Sequence, residues 1–149
     1  MYPGGDLAQA LAAVIGDIAA AAGTLECVLD EEHAALQAGD MPGLDRASAA
    51  KERQLHRLDV LDHERRHLAA QLAARGETPA AMASRDWKTA LATLETCARR
   101  NRDNGALVQA RLGFVRLALE ALGEAPPPPI YDPRGRNTCM PPPRPLARA

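Results

Sequence analysis

The sequence predicts an all-α protein: an elongated, antiparallel, coiled-coil-like bundle of three helices over residues 1–124, followed by a disordered Pro-rich tail over 125–149. Three observations lead there. Alanine and leucine dominate, and the only aromatics are Tyr2, Trp87, Phe114 and Tyr131. Ala and Leu lose little rotamer freedom in a helix, whereas sheet cores draw on β-branched and aromatic residues. Three long segments repeat their apolar residues at helical spacing, with Gly- and Pro-containing breaks between them. Nine of the twelve prolines lie from residue 125 onward, where they forbid a helix interior and favour extended chain.

The first helix spans about Asp6 to Ala38. Leu7, Leu11, Val14, Ile18, Leu25, Val28, Leu29 and Leu36 form its stripe, mostly at spacings of three, four or seven. Gly39 suits the residue just past a helix end, Asp40 a cap of the next helix, and Pro42 its first turn. The second helix runs to about Arg75 on Leu44, Ala47, Leu55, Leu58, Leu61, Leu68 and Leu72. Gly76 to Ser84 is the second break, with Ser84 as an N-cap. The third helix begins near Arg85, carries Trp87, Leu91, Leu94, Ala98, Val108, Leu112, Val115, Leu119 and Leu122, and closes at Gly123. Asn101-Arg102-Asp103-Asn104-Gly105 interrupts it with a turn signal. The stripe keeps its phase across the interruption, which favours a continuous or kinked helix. Short connections make neighbouring helices antiparallel.

Several function classes are disfavoured. The net charge of −1, without a large basic patch, speaks against nucleic-acid binding. No uninterrupted apolar run reaches eighteen residues, and residues 1–6 lack the positive charge that opens a signal peptide, so neither membrane insertion nor export of this chain is expected. Cys27, Cys97 and Cys139 match no zinc or redox spacing and read as free thiols of a reducing, cytoplasmic setting.

His63-Glu64-Arg65-Arg66-His67 spells the H-E-x-x-H pattern, in which two imidazoles on one helix face bind zinc and the glutamate is a general base. Here both histidines, with His56, turn about 150–170° from the leucine stripe, toward solvent and away from any cleft. Ala70 and Ala73 stand where an extended metalloprotease motif needs Gly and His. The reading is a solvated helix face, with no catalytic residue, metal or cofactor. Lys51 and Arg65 fall on or beside the second stripe. Pairing with a carboxylate of a neighbouring helix, such as Glu32, explains them, with partner binding as the alternative. After Gly105 the third helix is apolar on a second side as well, at Leu107, Phe114, Ala118 and Ala121. One such side lacks a partner in a three-helix bundle and suits an amphipathic helix of another protein, unless a tail segment or a second subunit covers it. Tyr131, beside Ile130, is the one aromatic of the tail and a candidate docking anchor.

Leu36, Asp40, Leu44, Lys51, Leu55, Leu58 and Arg65 have the spacing of the first hairpin of the FlgN family. Asn101, Asn104-Gly105 and Leu107-Val108 resemble that family's third-helix signature. Tyr131-Asp132-Pro133-Arg134-Gly135 is similar to its tail motif, with Asp132 where glycine is usual. The resemblance implies a non-enzymatic, cytoplasmic chaperone of flagellar type III export. Its partners would be the hook–filament junction proteins FlgK and FlgL and the export gate FlhA, with the export ATPase complex as a further candidate. It implies client binding at Leu107, Val108, Leu112, Phe114 and Val115, and gate docking at Tyr131. The competing readings are a generic coiled-coil adaptor or scaffold without client-chaperone activity and a zinc hydrolase built on His63, Glu64 and His67; a homo-oligomer is compatible with the bundle.

Overall fold

The chain reverses direction between its first two helices in two residues. In the computed structural model, which describes residues 4–123, α1 (Gly4–Ala38) ends at Gly39 and α2 (Met41–Ala74) begins directly after Asp40. Gly39 takes φ +70°, a conformation that disfavours a Cβ. The Gly39 N–H then donates to the Leu36 carbonyl and the Asp40 N–H to the Ala35 carbonyl, which satisfies the last carbonyls of α1. Asp40 accepts from the Gly43 N–H at 3.0 Å and caps α2. The α2 terminus repeats this pattern: Gly76 has φ +73° and the Glu77 N–H donates to the Leu72 carbonyl. A 3-10 turn at Ala80–Ala83 leads to Ser84, whose hydroxyl accepts from the Trp87 N–H, and α3 runs Arg85–Ala121. Helical structure therefore passes through Asn104 and Gly105, as the phase of the stripe suggests. No strand occurs among the described residues, and the expectations for 125–149, Tyr131 included, lie outside them.

The chain divides into two units, Met1–Asn104 and Gly105–Ala149. In the first unit α1 is the central element. Its whole predicted stripe is buried, together with Ile15, Ala21, Ala22 and Ala35. Leu7, Leu11 and Ile15 cluster with Leu72, Leu68 and Trp87; Val14 and Ile18 with Ala90, Leu61 and Leu94; Leu25 and Leu29 with Cys97 and Leu58. Rising numbers on α1 meet falling numbers on α2 and rising numbers on α3. The helical bundle is thus antiparallel between α1 and α2, and α3 returns parallel to α1.

Six positions of the second and third predicted stripes are corrected: Leu55, Leu91, Ala98, Leu112, Val115 and Leu122 are exposed. Leu55 is 49% exposed and Leu91 42% exposed, while Ala90 and Cys97 are fully buried. The buried face of α3 is turned by one residue from the leucine stripe because the contact with α1 is made by small side chains. The Cys97 thiol donates to the Ala22 carbonyl at 3.6 Å, an approach that leaves no room for leucine. Ala98, also on the predicted stripe, is exposed for the same reason. On α2, Ala47 and Leu72 are the buried residues, and the leucines between them are half-buried or, at Leu55, exposed.

The segment Asp6–Ala38 is long and apolar enough to cross a membrane by length and composition. That qualifies the reading from uninterrupted runs. In the folded unit 44% of its most apolar window is buried, with α2 and α3 covering it.

The second unit is described over residues 105–123, which form the last part of α3 and the turn after it.

Candidate functional site

Lys51, Asn101 and Asn104 gather with Glu32 at one place in the first unit. Glu32, on the apolar side of α1, is 5% exposed, and Asn104 on α3 is 3% exposed. The Glu32 carboxylate receives the Lys51 ammonium from α2 on Oε1 at 2.5 Å and Asn104 Nδ2 on Oε2 at 2.9 Å. Asn104 Nδ2 also donates to the Leu29 carbonyl at 2.9 Å, and its Oδ1 accepts from His33 Nδ1 at 2.9 Å. Lys51 further donates to Asn101 Oδ1 at 3.3 Å. Each polar group in this node has a partner, which is the condition for burying it. The expected Lys51–Glu32 pair is present; Asn104 as its third member was not foreseen. A buried amide works only in the register that supplies its partners, so the node aligns all three helices.

Arg65 behaves otherwise than expected. It pairs within its own helix, with Asp62 at 2.7 Å, and its guanidinium lies over the Trp87 ring at 4.8 Å. Its stem and charge therefore tie α2 to α3 through an aromatic face instead of a neighbouring carboxylate. Burial raises the Asp62 pKa, but the hydrogen bonds and charges of Arg65 and Arg66 outweigh it, and the net shift is downward. The Cys97 thiol is pushed up, chiefly by burial and then by the Glu26 charge. Arg100 on α3 makes a further ion pair with Asp30 on α1 at 2.7 Å.

The second unit presents the opposite character. Leu107 and Val108 are half-buried, while Leu112, Val115 and Phe114 are exposed at 38%, 53% and 76%. Leu117 and Leu122, outside the predicted set, are exposed at 64% and 77%. Their signal was present in the sequence: Leu122 continues the spacing of Val108 and Val115 by sevens, and Leu117 lies one turn from Phe114. Phe114 and Val115 are consecutive, hence about 100° apart, so the predicted residues occupy two adjoining sides of the helix and not one groove. Exposed apolar area of this kind marks a surface for another protein.

The sequence profile of the family described as FlgN protein matches residues 1–138. The chain belongs to the FlgN family. Comparison with curated proteins and with solved structures yields no match. Membership implies a flagellar export-chaperone role. In this FlgN-family chain the resemblance residues Lys51, Arg65, Asn101 and Asn104 sit in contacts that hold the bundle, and the exposed apolar residues follow directly after them on α3. His63, Glu64 and His67 are exposed on α2, with His67 Nε2 accepting from Gln71. Beside them is a shallow, open depression of about 260 Å³ lined by Asp59, Val60, Asp62, His63 and Arg66. Among the described residues no group of three or more His, Cys, Asp or Glu side chains gathers at metal-binding distance.

Proposed function

We propose that this protein is a cytoplasmic chaperone that binds hook–filament junction subunits of the FlgK and FlgL type and delivers them to the flagellar type III export gate, FlhA. One observation carries the reading: a FlgN-family chain exposes Leu112, Phe114, Val115 and Leu117 along the last turns of α3, and Leu122 just past its end. A client helix laid there removes apolar surface from water, at roughly 25 cal/mol per Å². The ordering of the client offsets part of that gain, which leaves an affinity compatible with release at the gate. Leu107 and Val108, half-buried, form the start of this client site. Tyr131, past the helix, is the proposed gate anchor.

Pull-down of purified hook-associated subunits tests the reading. The parent chain is expected to retain them and Phe114→Asp to lose at least tenfold in affinity. Failure of the parent chain to hold any such subunit defeats it. Tyr131→Ala is expected to weaken FlhA binding and leave client binding unchanged; equal gate affinity removes Tyr131 from the site.

A further inference from the structure

We infer that Asn104-Gly105 is a self-modification site held shut by the folded bundle: when the polar node opens, the Asn104 amide becomes an acid, and the node can no longer close. Asn-Gly is the dipeptide most prone to this reaction, because glycine lacks the Cβ that would shield its backbone nitrogen. It occurs once in the sequence; Asn101 and Asn137 precede Arg102 and Thr138, which both carry a Cβ. The Gly105 nitrogen attacks Asn104 Cγ, a five-membered succinimide closes, and Nδ2 leaves as ammonia with the proton shed by the Gly105 nitrogen. One water then opens the ring to an aspartate or an isoaspartate. No oxidant or cofactor takes part.

Three features of the fold oppose the first step. Residue 105 lies inside α3, where its N–H is committed to the carbonyl four residues back and Asn104 ψ is held in the helical range. Ring closure needs that N–H released and that ψ turned away. The amide itself is fixed as well. Nδ2 donates to the Leu29 carbonyl and to Glu32 Oε2, both at 2.9 Å, and Oδ1 accepts from His33 Nδ1 at 2.9 Å. Cγ swings toward the Gly105 nitrogen only after these bonds break. At 3% exposure, Asn104 also meets little water to open the ring. The product, in turn, does not fit the node. A carboxylate has no N–H, so an oxygen in the place of Nδ2 faces the Leu29 carbonyl and the Glu32 carboxylate, acceptor against acceptor and like charge against like charge. An isoaspartate also adds a carbon to the backbone and breaks the helical register. Opening of the node is thus reversible before the reaction and irreversible after it.

Peptide mapping of the full chain by mass spectrometry, with isoaspartate quantified, tests both halves. The parent chain is held at mildly alkaline pH with and without guanidinium chloride. Asn104 is expected to lose its amide at least tenfold faster in the unfolded chain. Lys51→Met, which strips the buried Glu32 of its cation, is expected to fall between the two when no denaturant is present. Gly105→Ala is the chemical control. Its Cβ meets no atom within 4 Å in the folded chain, and it is expected to slow the reaction in denaturant at least tenfold. Asn104→Asp is expected to unfold at a lower denaturant concentration than the parent. Equal rates in the folded and unfolded parent overturn the protection, and a Lys51→Met rate equal to that of the folded parent takes the node out of it. A Gly105→Ala rate in denaturant equal to the parent's overturns the cyclisation. An Asn104→Asp variant as stable as the parent overturns the irreversible step.

Discussion

The two parts of α3, before and after Gly105, differ in residue size and have opposite fates. Up to Asn104 the residues that matter are small or polar: Ala90, Cys97 and Asn104 are the ones buried. Beyond Gly105 they are large, and Phe114, Leu117 and Leu122 are mostly exposed. Hydrophobicity of the side chain alone therefore does not decide burial. Small residues let α3 approach α1 closely enough for a thiol to reach a backbone carbonyl. The large residues beyond Gly105 leave apolar surface in water.

This contrast can be attacked from either side. The largest effect is expected at the polar node. Lys51→Met leaves the 5%-exposed Glu32 carboxylate without its cation, and an uncompensated buried charge costs about 3 kcal/mol or more. Urea denaturation measures it; a loss below about 1 kcal/mol means the node does not anchor the bundle. Next comes Cys97→Leu, which adds volume where the thiol already meets the Ala22 carbonyl, and which is expected to cost about 1–3 kcal/mol by overpacking. A neutral result would show that α3 stands further from α1 than the close contact requires. Gly43→Ala is smaller. Its Cβ falls 2.1 Å from Asp40 Oδ2, so the capping carboxylate must leave and about 1 kcal/mol is lost. If Asp40→Ala and Gly43→Ala add independently, the cap is not their common cause.

Acid titration of stability gives a still smaller effect. The folded pKa of Asp62 lies below its unfolded value, so the contribution of the Asp62–Arg65–Arg66 cluster is fully present above the unfolded value, about 4, and is lost as pH falls through the folded one. Asp62→Asn is expected to flatten that acid limb, and an unchanged limb assigns it to other carboxylates. The smallest shift belongs to Phe114→Asp. At 76% exposure it is expected to move stability by less than about 0.5 kcal/mol while abolishing client retention. A large loss of stability there would mean that Phe114 is a core residue and that the comparison between the two parts of α3 fails.

Most of the fold was legible in the sequence for local reasons. Gly39, Asp40, Pro42 and Ser84 act within one turn of themselves, and their roles at the helix ends came out as the residue types require. The α1 stripe was legible because every member is large, apolar and buried. The Lys51–Glu32 pair was legible because a lysine beside an apolar stripe needs an acid across from it. The partner of Arg65 was not, because an aromatic ring and a carboxylate both satisfy a guanidinium and spacing does not choose between them. That the residues proposed for client binding lie on two flanks of α3 follows from Phe114 and Val115 being consecutive, about 100° apart.

Sequence alone settled where the helices begin and end and which face of α1 is apolar, because propensity, capping and periodicity act over a few residues. Tertiary structure alone decided which face of α3 turns inward, which leucines stay wet, and that Asn104 joins Glu32 and His33 in a buried node. Those outcomes depend on how closely two helices approach each other. That distance is set by residues 75 positions apart in the chain, the Cys97 thiol on the Ala22 carbonyl and the Asn104 amide on the Leu29 carbonyl, which no local pattern brings together.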